Sequence, residues 1–285
     1  MEIRINGQAA DITLDSEKNI GEILAGIDLW LSNLGHSLTG LSIDGKNADT
    51  SQLDKIFSLE TDSVRVLDIY TSSAAELTAM GLLNLIHDIE EFENLKFEDK
   101  SNFLDNWEKR AQAKLLKQNM PELFSLYIDL FSRGGISCQT LRSITEERLR
   151  EVSDPADEFS KTEPLLNEIC ARLVDLPLDI QTGKDGRAAQ TIQIFSGLME
   201  KILRIINQFN IQGFLDQDQD DDKSLNQIIN EFSGVLKELL DAYERQDSVL
   251  VGDLAEYEAA PRLQELFAAI QKKSRKPADY AQGNN

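Results

Sequence analysis

Five aspartates fall within seven positions at 216-DQDQDDD-222, and oxygen ligands at this spacing are typical of calcium-binding loops. The EF-hand loop needs oxygen ligands at positions 1, 3 and 5, glycine at position 6 and a bidentate glutamate at position 12. A loop starting at Asp216 would place Asp221 at position 6 and Gln227 at position 12. Because position 6 is not glycine and position 12 is not glutamate, we predict no specific metal site but an acidic turn between two helices. The sequence leaves weak cation binding at 216–222 undecided.

A second stretch, 182-TGKDGR-187, is similar to part of a phosphate-binding loop. It lacks the first glycine of the G-x-x-x-x-G-K-[ST] pattern and follows no strand. We interpret Asp185 as the cap of the next helix, and we predict no cofactor.

The histidines and cysteines form no recognisable chemical set. His36 and His87 have no Cys or His at ligand spacing, and Cys138 and Cys170 match no C-x-x-C pattern. We expect His87 to be partly buried in a helix. Carboxylates are abundant, but no pair is singled out, so we predict no catalytic residue.

The segment 247-DSVLVGDLAEYEAAPRLQELFAAI-270 offers a candidate recognition surface. It is predicted helical, with Asp247 as its cap and a kink or restart at Pro261, after Ala259. The candidate interaction face consists of Gly252, Asp253, Glu256, Tyr257 and Glu258. The alternative is a packing helix that turns Leu254 and Tyr257 inward. The GDLxEYExxP wording resembles segments of uncharacterised bacterial helical proteins, a resemblance that implies no activity.

The charge balance limits the classes of partner. The 285 residues carry a formal net charge of −21, a field that repels nucleic acid and anionic membranes. MEIRING lacks the features of a signal peptide, no apolar run is long enough to span a bilayer, and cysteines are few. We therefore expect a cytoplasmic protein without a membrane span. The basic cluster of the tail, Lys272 to Lys276, is an exception that could contact an acidic partner.

Residues 1–72 alternate like a small sheet with one helix. Ile3 and Ile5 share a strand face, Asn6-Gly7 and Asp44-Gly45 are turn signals, and ADITL and VRVLDIY predict further strands. Apolar residues at helical spacing follow Asn19 and Glu22, which have capping-box spacing. This order of elements resembles the ubiquitin-like β-grasp fold. The resemblance implies a docking module or a structural cap, because the carrier and modifier members need a free C-terminal Gly-Gly that the chain does not have here.

The rest of the chain is predicted helical, which makes the fold class α+β: a small N-terminal β-grasp-like domain followed by a large all-α helical-bundle region. Helices are expected at about 74–95, 98–118, 121–133, 136–152, 160–176, 186–210, 223–245 and 248–271. The predicted division is a domain at 1–72, a helical group at 73–152, a linker at 153–164, a four-helix-bundle-like region at 165–271 and a basic, then disordered, tail at 272–285.

Two apolar stripes predict the packing of the last helices. One consists of Leu225, Ile229, Phe232, Leu236, Leu239 and Tyr243, and the other of Met199, Ile202, Ile206 and Phe209. The first seam could close within one chain or across a homodimer, and the sequence leaves both open.

These features favour a non-catalytic interaction, scaffold or adaptor protein of the bacterial cytoplasm, whose partner is another protein. Two alternatives remain. One is an export or flagellar-type chaperone or adaptor, and the other is a carboxylate-based or metal-assisted enzyme, which would need a concave pocket with convergent carboxylates.

Overall fold

The computed structural model describes residues 1–14, 17–100, 102–212 and 225–273. The chain divides into two compact units, one up to Thr145 and one from Glu146 onward. The α+β class is confirmed, because a small five-stranded N-terminal sheet precedes a large helical region. The acidic stretch 216–222 lies outside the described residues, so the acidic turn expected there stays a prediction.

The sheet has the strand order β2-β1-β5-β3-β4. The strands are β1 (Glu2–Ile5), β2 (Gln8–Ala9), β3 (His36–Ile43), β4 (Lys46–Asn47) and β5 (Val66–Ser73). β1 and β5 are parallel, and the other neighbours are antiparallel. Asn6-Gly7 and Asp44-Gly45 form the two hairpin turns with positive φ at all four positions, as their sequences predicted.

The second strand is shorter than predicted, because pairing with β1 ends at Ala9, before the ADITL segment. The Ala10 N–H still donates to the Ile3 carbonyl, but the Ile12 N–H turns back to the Ala10 carbonyl at 3.0 Å. Residues 10–14 therefore run beside the sheet without forming a strand. Ile12 and Leu14 nevertheless pack against the core of the N-terminal domain.

Helix α1 (Ile20–Asn33) covers one face of this sheet. The Asn19 side chain accepts from the Glu22 N–H at 2.9 Å, and the Glu22 carboxylate accepts from the Lys18 N–H at 2.7 Å. The predicted start of the helix is therefore confirmed. The apolar side of α1 packs on Leu67 and Ile69 of β5 in one buried core. A short helix, α2 (Leu53–Phe57), and two 3₁₀ turns complete the N-terminal domain.

The helices that follow in the first unit are α3 (Ala74–Asn94), α4 (Phe97–Lys100), α5 (Phe103–Trp107), α6 (Ala111–Asn119), α7 (Pro121–Arg133) and α8 (Cys138–Ser153), the last of which continues past Thr145. The bounds of α3, α7 and α8 agree with the predicted ranges to within two residues. The single helix expected at 98–118 is wrong. The chain breaks at Arg110, which has the extended ψ of 147°, and this break lets Trp107 and Arg110 both reach α3.

Asp88 on α3 is the buried acceptor that joins these short helices. Its carboxylate accepts from Trp107 Nε1 at 2.8 Å, from Arg110 at 2.5 Å and from Gln112 Nε2 at 3.1 Å. The Trp107 ring in turn stacks on Tyr127 with centroids 5.4 Å apart. A buried carboxylate is tolerated only when its oxygens are satisfied, and here three donors satisfy them.

The second unit contains α11 (Asp185–Ile211), the longest helix of the described residues. Its other helices are α9 (Pro155–Ser160), α10 (Glu163–Gln181), α12 (Leu225–Glu244), α13 (Ser248–Asp253), a π-helical segment (Leu254–Ala259) and α14 (Ala260–Lys273). The predicted stripe on α11 is confirmed, since its four residues are all buried in the core of this unit. The domain division stays a prediction.

The range 153–164, predicted as a linker, contains α9, and α9 contributes to the core. Phe159 is buried and stacks on Phe267 with centroids 4.5 Å apart. Ser160 and Glu163 have the spacing of a capping box, but they form none, because the Ser160 hydroxyl bonds to the Ala156 carbonyl and α10 begins without a side-chain cap.

The α12 seam is shifted by one position from the predicted one. The buried set is Leu225, Ile228, Phe232, Val235, Leu239 and Ala242. Ile229 and Leu236 are half-buried at its edge, whereas Tyr243 is 48% exposed. Both sets have spacings of three and four and share three residues. Only the positions of the neighbouring helices decide which side of the stripe faces the core.

No helix among the described residues is long and apolar enough to cross a membrane.

Replacing Asp88 by alanine leaves the Trp107, Arg110 and Gln112 donors without their buried acceptor. We expect the first unit to lose about 3–5 kcal/mol of unfolding free energy. Urea unfolding, followed by the near-ultraviolet circular dichroism of the buried aromatic rings, measures this loss. Glu91→Ala is the control: it removes an exposed Arg110 ion pair worth about 1 kcal/mol or less. Equal losses in the two variants would contradict the central role of Asp88.

Tyr127 should make the first unit sensitive to alkali. Burial raises the pKa of its phenol well above the ordinary value, and the hydrogen bond with Thr145 opposes this only in part. The unfolded chain ionises at about pH 10 and the folded one does not. The contribution of Tyr127 to the unfolding free energy is therefore fully present below about pH 10, and it is lost as the pH rises further. Tyr127→Phe should lose less stability between about pH 8 and about pH 11 in urea titrations.

Candidate functional site

The predicted interaction face lies where α13 passes through the π-helical segment into α14. Asp247 caps α13 as expected, its side chain accepting from the Leu250 N–H at 3.1 Å. The π-helical segment ends at Ala259, and Pro261 follows in the first turn of α14. Proline has no N–H for the carbonyl four residues earlier and its ring crowds that carbonyl, so a wider turn before Pro261 relieves the conflict.

Gly252 does not belong to the exposed face. It is buried against Pro177 of α10, and a Cβ added at Gly252 would lie 2.9 Å from the proline Cβ. The glycine therefore lets α13 approach α10 closely, and its role is packing.

The other four residues of the face point outward to different degrees. Asp253 is exposed, Glu256 and Glu258 are half-buried, and Tyr257 is 66% exposed. Leu254 packs inward as the alternative interpretation expected, but Tyr257 does not, because the wider π turn rotates it away from the core. The Glu256 carboxylate raises the pKa of Tyr257 through a hydrogen bond.

A polar cavity of about 580 Å³ opens between α12 and this segment. Its charged groups are Glu231, Glu238, Glu258 and Arg262. Arg262 bonds to Glu258 at 2.9 Å and to Glu231 at 3.3 Å, so one guanidinium bridges two of the three carboxylates. Among the residues that the structure describes, no group of three His, Cys, Asp or Glu side chains could hold a metal ion.

The two cations of the phosphate-loop candidate 182–187 form ion pairs with a neighbouring carboxylate of the same chain. Arg187 Nε lies 3.0 Å and Lys184 Nζ 3.5 Å from the buried Asp179 carboxylate. Asp185 is the first residue of α11 and not its cap, since Lys184 precedes the helix without a side-chain bond. The two cations of this turn thus neutralise a buried acid, which is a structural role.

Among the described residues, the histidines and cysteines belong to no possible metal-binding group. The His87 side chain is 77% exposed and lies 3.5 Å from Glu90, so the expectation that it is partly buried is wrong. Burial raises the pKa of both the Cys138 and Cys170 thiols, which makes neither a reactive thiolate. In the basic cluster, Lys272 lies at the end of α14, and Arg275 and Lys276 are outside the described residues.

An apolar groove lies between α3 and α6 in the first unit, and its cavity measures about 340 Å³. We name it the α3–α6 groove. Its lining residues are Ser37, Ala74, Leu77, Thr78, Gly81, Leu82, Leu85, Gln112, Leu115, Leu116, Asn119 and Met120. None of these described lining residues is charged, although the chain carries a net charge of −21.

The floor of the α3–α6 groove is open at Gly81. A Cβ placed there would meet no described atom within 4 Å. Leu77 and Leu115 of the lining are exposed, and so are Met80 and Leu83, which lie on α3 outside the lining, with Met80 57% exposed. A contiguous exposed apolar surface is typical of a binding site.

The sequence of α3 contains a signal for this groove that is absent from the predictions above. Stretch 74–85, AAELTAMGLLNL, is apolar on more than one side of its helix. Leu82 and Leu85 fill the core stripe, whereas Leu77, Met80 and Leu83 lie outside it. A helix needs only one apolar stripe to pack, so a second stripe indicates a second contact surface.

Gly252→Ala tests the close approach of α13 to α10. The added methyl group must displace Pro177, and we expect a loss of about 1–3 kcal/mol in the unfolding free energy. The matched control is Gly197→Ala on α11, where the methyl group would meet no described atom within 4 Å. That variant should gain about 0.5–1 kcal/mol. Chemical denaturation of both variants measures the difference, and a stabilised Gly252→Ala protein would disprove the packing role.

Two family models match parts of the chain. Residues 1–73 match the TP0873 N-terminal domain, which ends where β5 ends, and residues 157–269 match DUF8042, a domain of unknown function. An uncharacterized protein of Treponema pallidum (strain Nichols) is 22% identical over 273 residues, which cover 95% of this chain and 96% of that protein. No solved structure matches the chain. The helices of the α3–α6 groove lie between the two matched ranges.

Proposed function

We propose that this protein is a non-catalytic protein-binding protein, a scaffold or adaptor of the bacterial cytoplasm, and that the α3–α6 groove is its docking surface. The observation that carries the proposal is an uncharged apolar groove, continued by exposed Leu and Met side chains, on a strongly acidic chain. Depletion of charge at the centre and enrichment in methionine are characteristic of protein interfaces.

An amphipathic helix fits this groove best. The lining residues of α3 recur from Ala74 to Leu85, and those of α6 from Gln112 to Met120, each at helical spacing. At a rise of 1.5 Å per residue these stripes are about 16 Å and about 12 Å long. The groove thus accommodates two to three turns of a partner helix, which would lay its apolar side between α3 and α6.

We further propose that the N-terminal domain is a ubiquitin-like β-grasp domain that serves as a docking module. Parallel β1 and β5 at the centre of the sheet, hairpins at both edges and α1 across one face support this assignment. The cap-like alternative would leave the domain without a binding surface of its own.

Gly81→Leu is the variant that tests the docking surface. The new side chain would occupy the floor of the groove and should abolish partner binding. Since leucine is a better helix former than glycine, α3 should be no less stable. The matched control is Gly197→Leu, on a helix of the second unit at a position with similar open space. The measurement is capture of partners by the tagged full-length protein in its native cells, with chemical crosslinking and mass spectrometry.

We expect a set of proteins that is captured by the wild type and the Gly197→Leu variant but lost with Gly81→Leu. Crosslinks of these proteins should map to a helical segment. A single unfolded helical client would identify the export-chaperone form of the same activity. Identical partner sets for the two variants would rule out the α3–α6 groove as the docking surface.

A further inference from the structure

A second groove of the first unit runs along α1 and has a different chemistry. It lies between α1 and the extended residues 10–14, and its cavity measures about 460 Å³. Its apolar floor consists of Ile5, Ile12, Leu14, Ile23 and Ile27. We name it the α1 groove.

Trp30 and Gly26 form the helical wall of the α1 groove. They are four residues apart and therefore share one side of α1. The Trp30 side chain is 51% exposed, and a Cβ on Gly26 would meet no described atom within 4 Å. An exposed tryptophan beside an open apolar floor is typical of the anchor positions of protein interfaces.

The rim of the α1 groove is acidic. Asp11, Glu17 and Glu22 line it, and no lining residue that the structure describes is basic. The Glu22 carboxylate is held in place by two hydrogen bonds, which the Lys18 N–H donates at 2.7 Å and Asn19 Nδ2 at 3.0 Å. This rim distinguishes the α1 groove from the α3–α6 groove, whose described lining carries no charge.

We propose that the α1 groove binds a segment of a partner protein in which an aliphatic or aromatic side chain is flanked by lysine or arginine. The apolar side chain would occupy the isoleucine-lined floor, and the cations would face the three carboxylates. Trp30 adds a ring face that attracts a cation. The net charge of −21 steers basic segments toward the molecule and repels acidic ones.

This inference does not rest on the proposed use of the α3–α6 groove. The two grooves have different linings and contain different glycines, Gly26 and Gly81. A protein with both would connect two partners of different chemistry, one helical and apolar, the other basic and apolar.

The test is selection of a random twelve-residue peptide display library on the full-length protein. We expect enrichment of peptides in which Lys or Arg flanks an apolar residue. These peptides should bind Gly81→Leu as tightly as the wild type and Gly26→Leu at least tenfold more weakly. Both variants place leucine at an open helical glycine, so each is the folding control of the other.

The protein carries its own reporter of the contact. It has two tryptophans, and Trp107 is buried while Trp30 is exposed. Binding of a selected peptide should shift the emission of Trp30 to shorter wavelength, and Trp30→Phe should abolish the shift. The affinity should fall severalfold with added salt, and Asp11→Asn with Glu17→Gln should weaken binding and flatten that salt dependence.

Three results would overturn the proposal. Selected peptides without lysine or arginine would show that the acidic rim does not select the partner. Unchanged binding to Gly26→Leu would place the contact elsewhere. Self-association of the wild type in sedimentation experiments, lost in Gly26→Leu, would make a second copy of this chain the occupant of the groove.

Discussion

The buried carboxylate of Asp88 organises the first unit. It accepts hydrogen bonds from Trp107, from Arg110 before α6 and from Gln112 within α6. Because Gln112 also lines the α3–α6 groove, the bond that satisfies a buried charge also sets the position of the groove wall. A carboxylate in an apolar interior is costly unless its donors stay in place. This network therefore also restrains the wall of the groove at Gln112.

Helical glycines accompany the cavities of both units. Gly81, Gly26 and Gly234 each line a cavity, and each has open space where a side chain would project. Glycine inside a helix costs about 0.5–1 kcal/mol relative to alanine. Gly252 has the opposite role, since it lets two helices touch. At these four positions, glycine within a helix either leaves a cavity open or permits a close contact, and only the neighbouring atoms distinguish the two roles.

Local sequence signals predicted local structure well. Asn6-Gly7 and Asp44-Gly45 form hairpin turns, Asn19 and Asp247 cap helices, and the α11 stripe is buried. Each of these features depends on residues within one or two turns of chain. The failures share a different cause. The break at Arg110 and the shift of the α12 seam depend on contacts made with other helices.

The sequence by itself determined the α+β class, most helices, the acidic charge and the absence of any familiar catalytic motif, because composition, period and capping are encoded locally. It also singled out residues 252–258, of which the tertiary structure left Asp253, Glu256, Tyr257 and Glu258 outward and placed Gly252 against Pro177. The second apolar stripe of α3 indicates a contact surface, but only the tertiary structure forms the two apolar grooves. An apolar side chain that completes a core and one that lines a groove follow the same helical period, and packing alone decides which of them stays exposed.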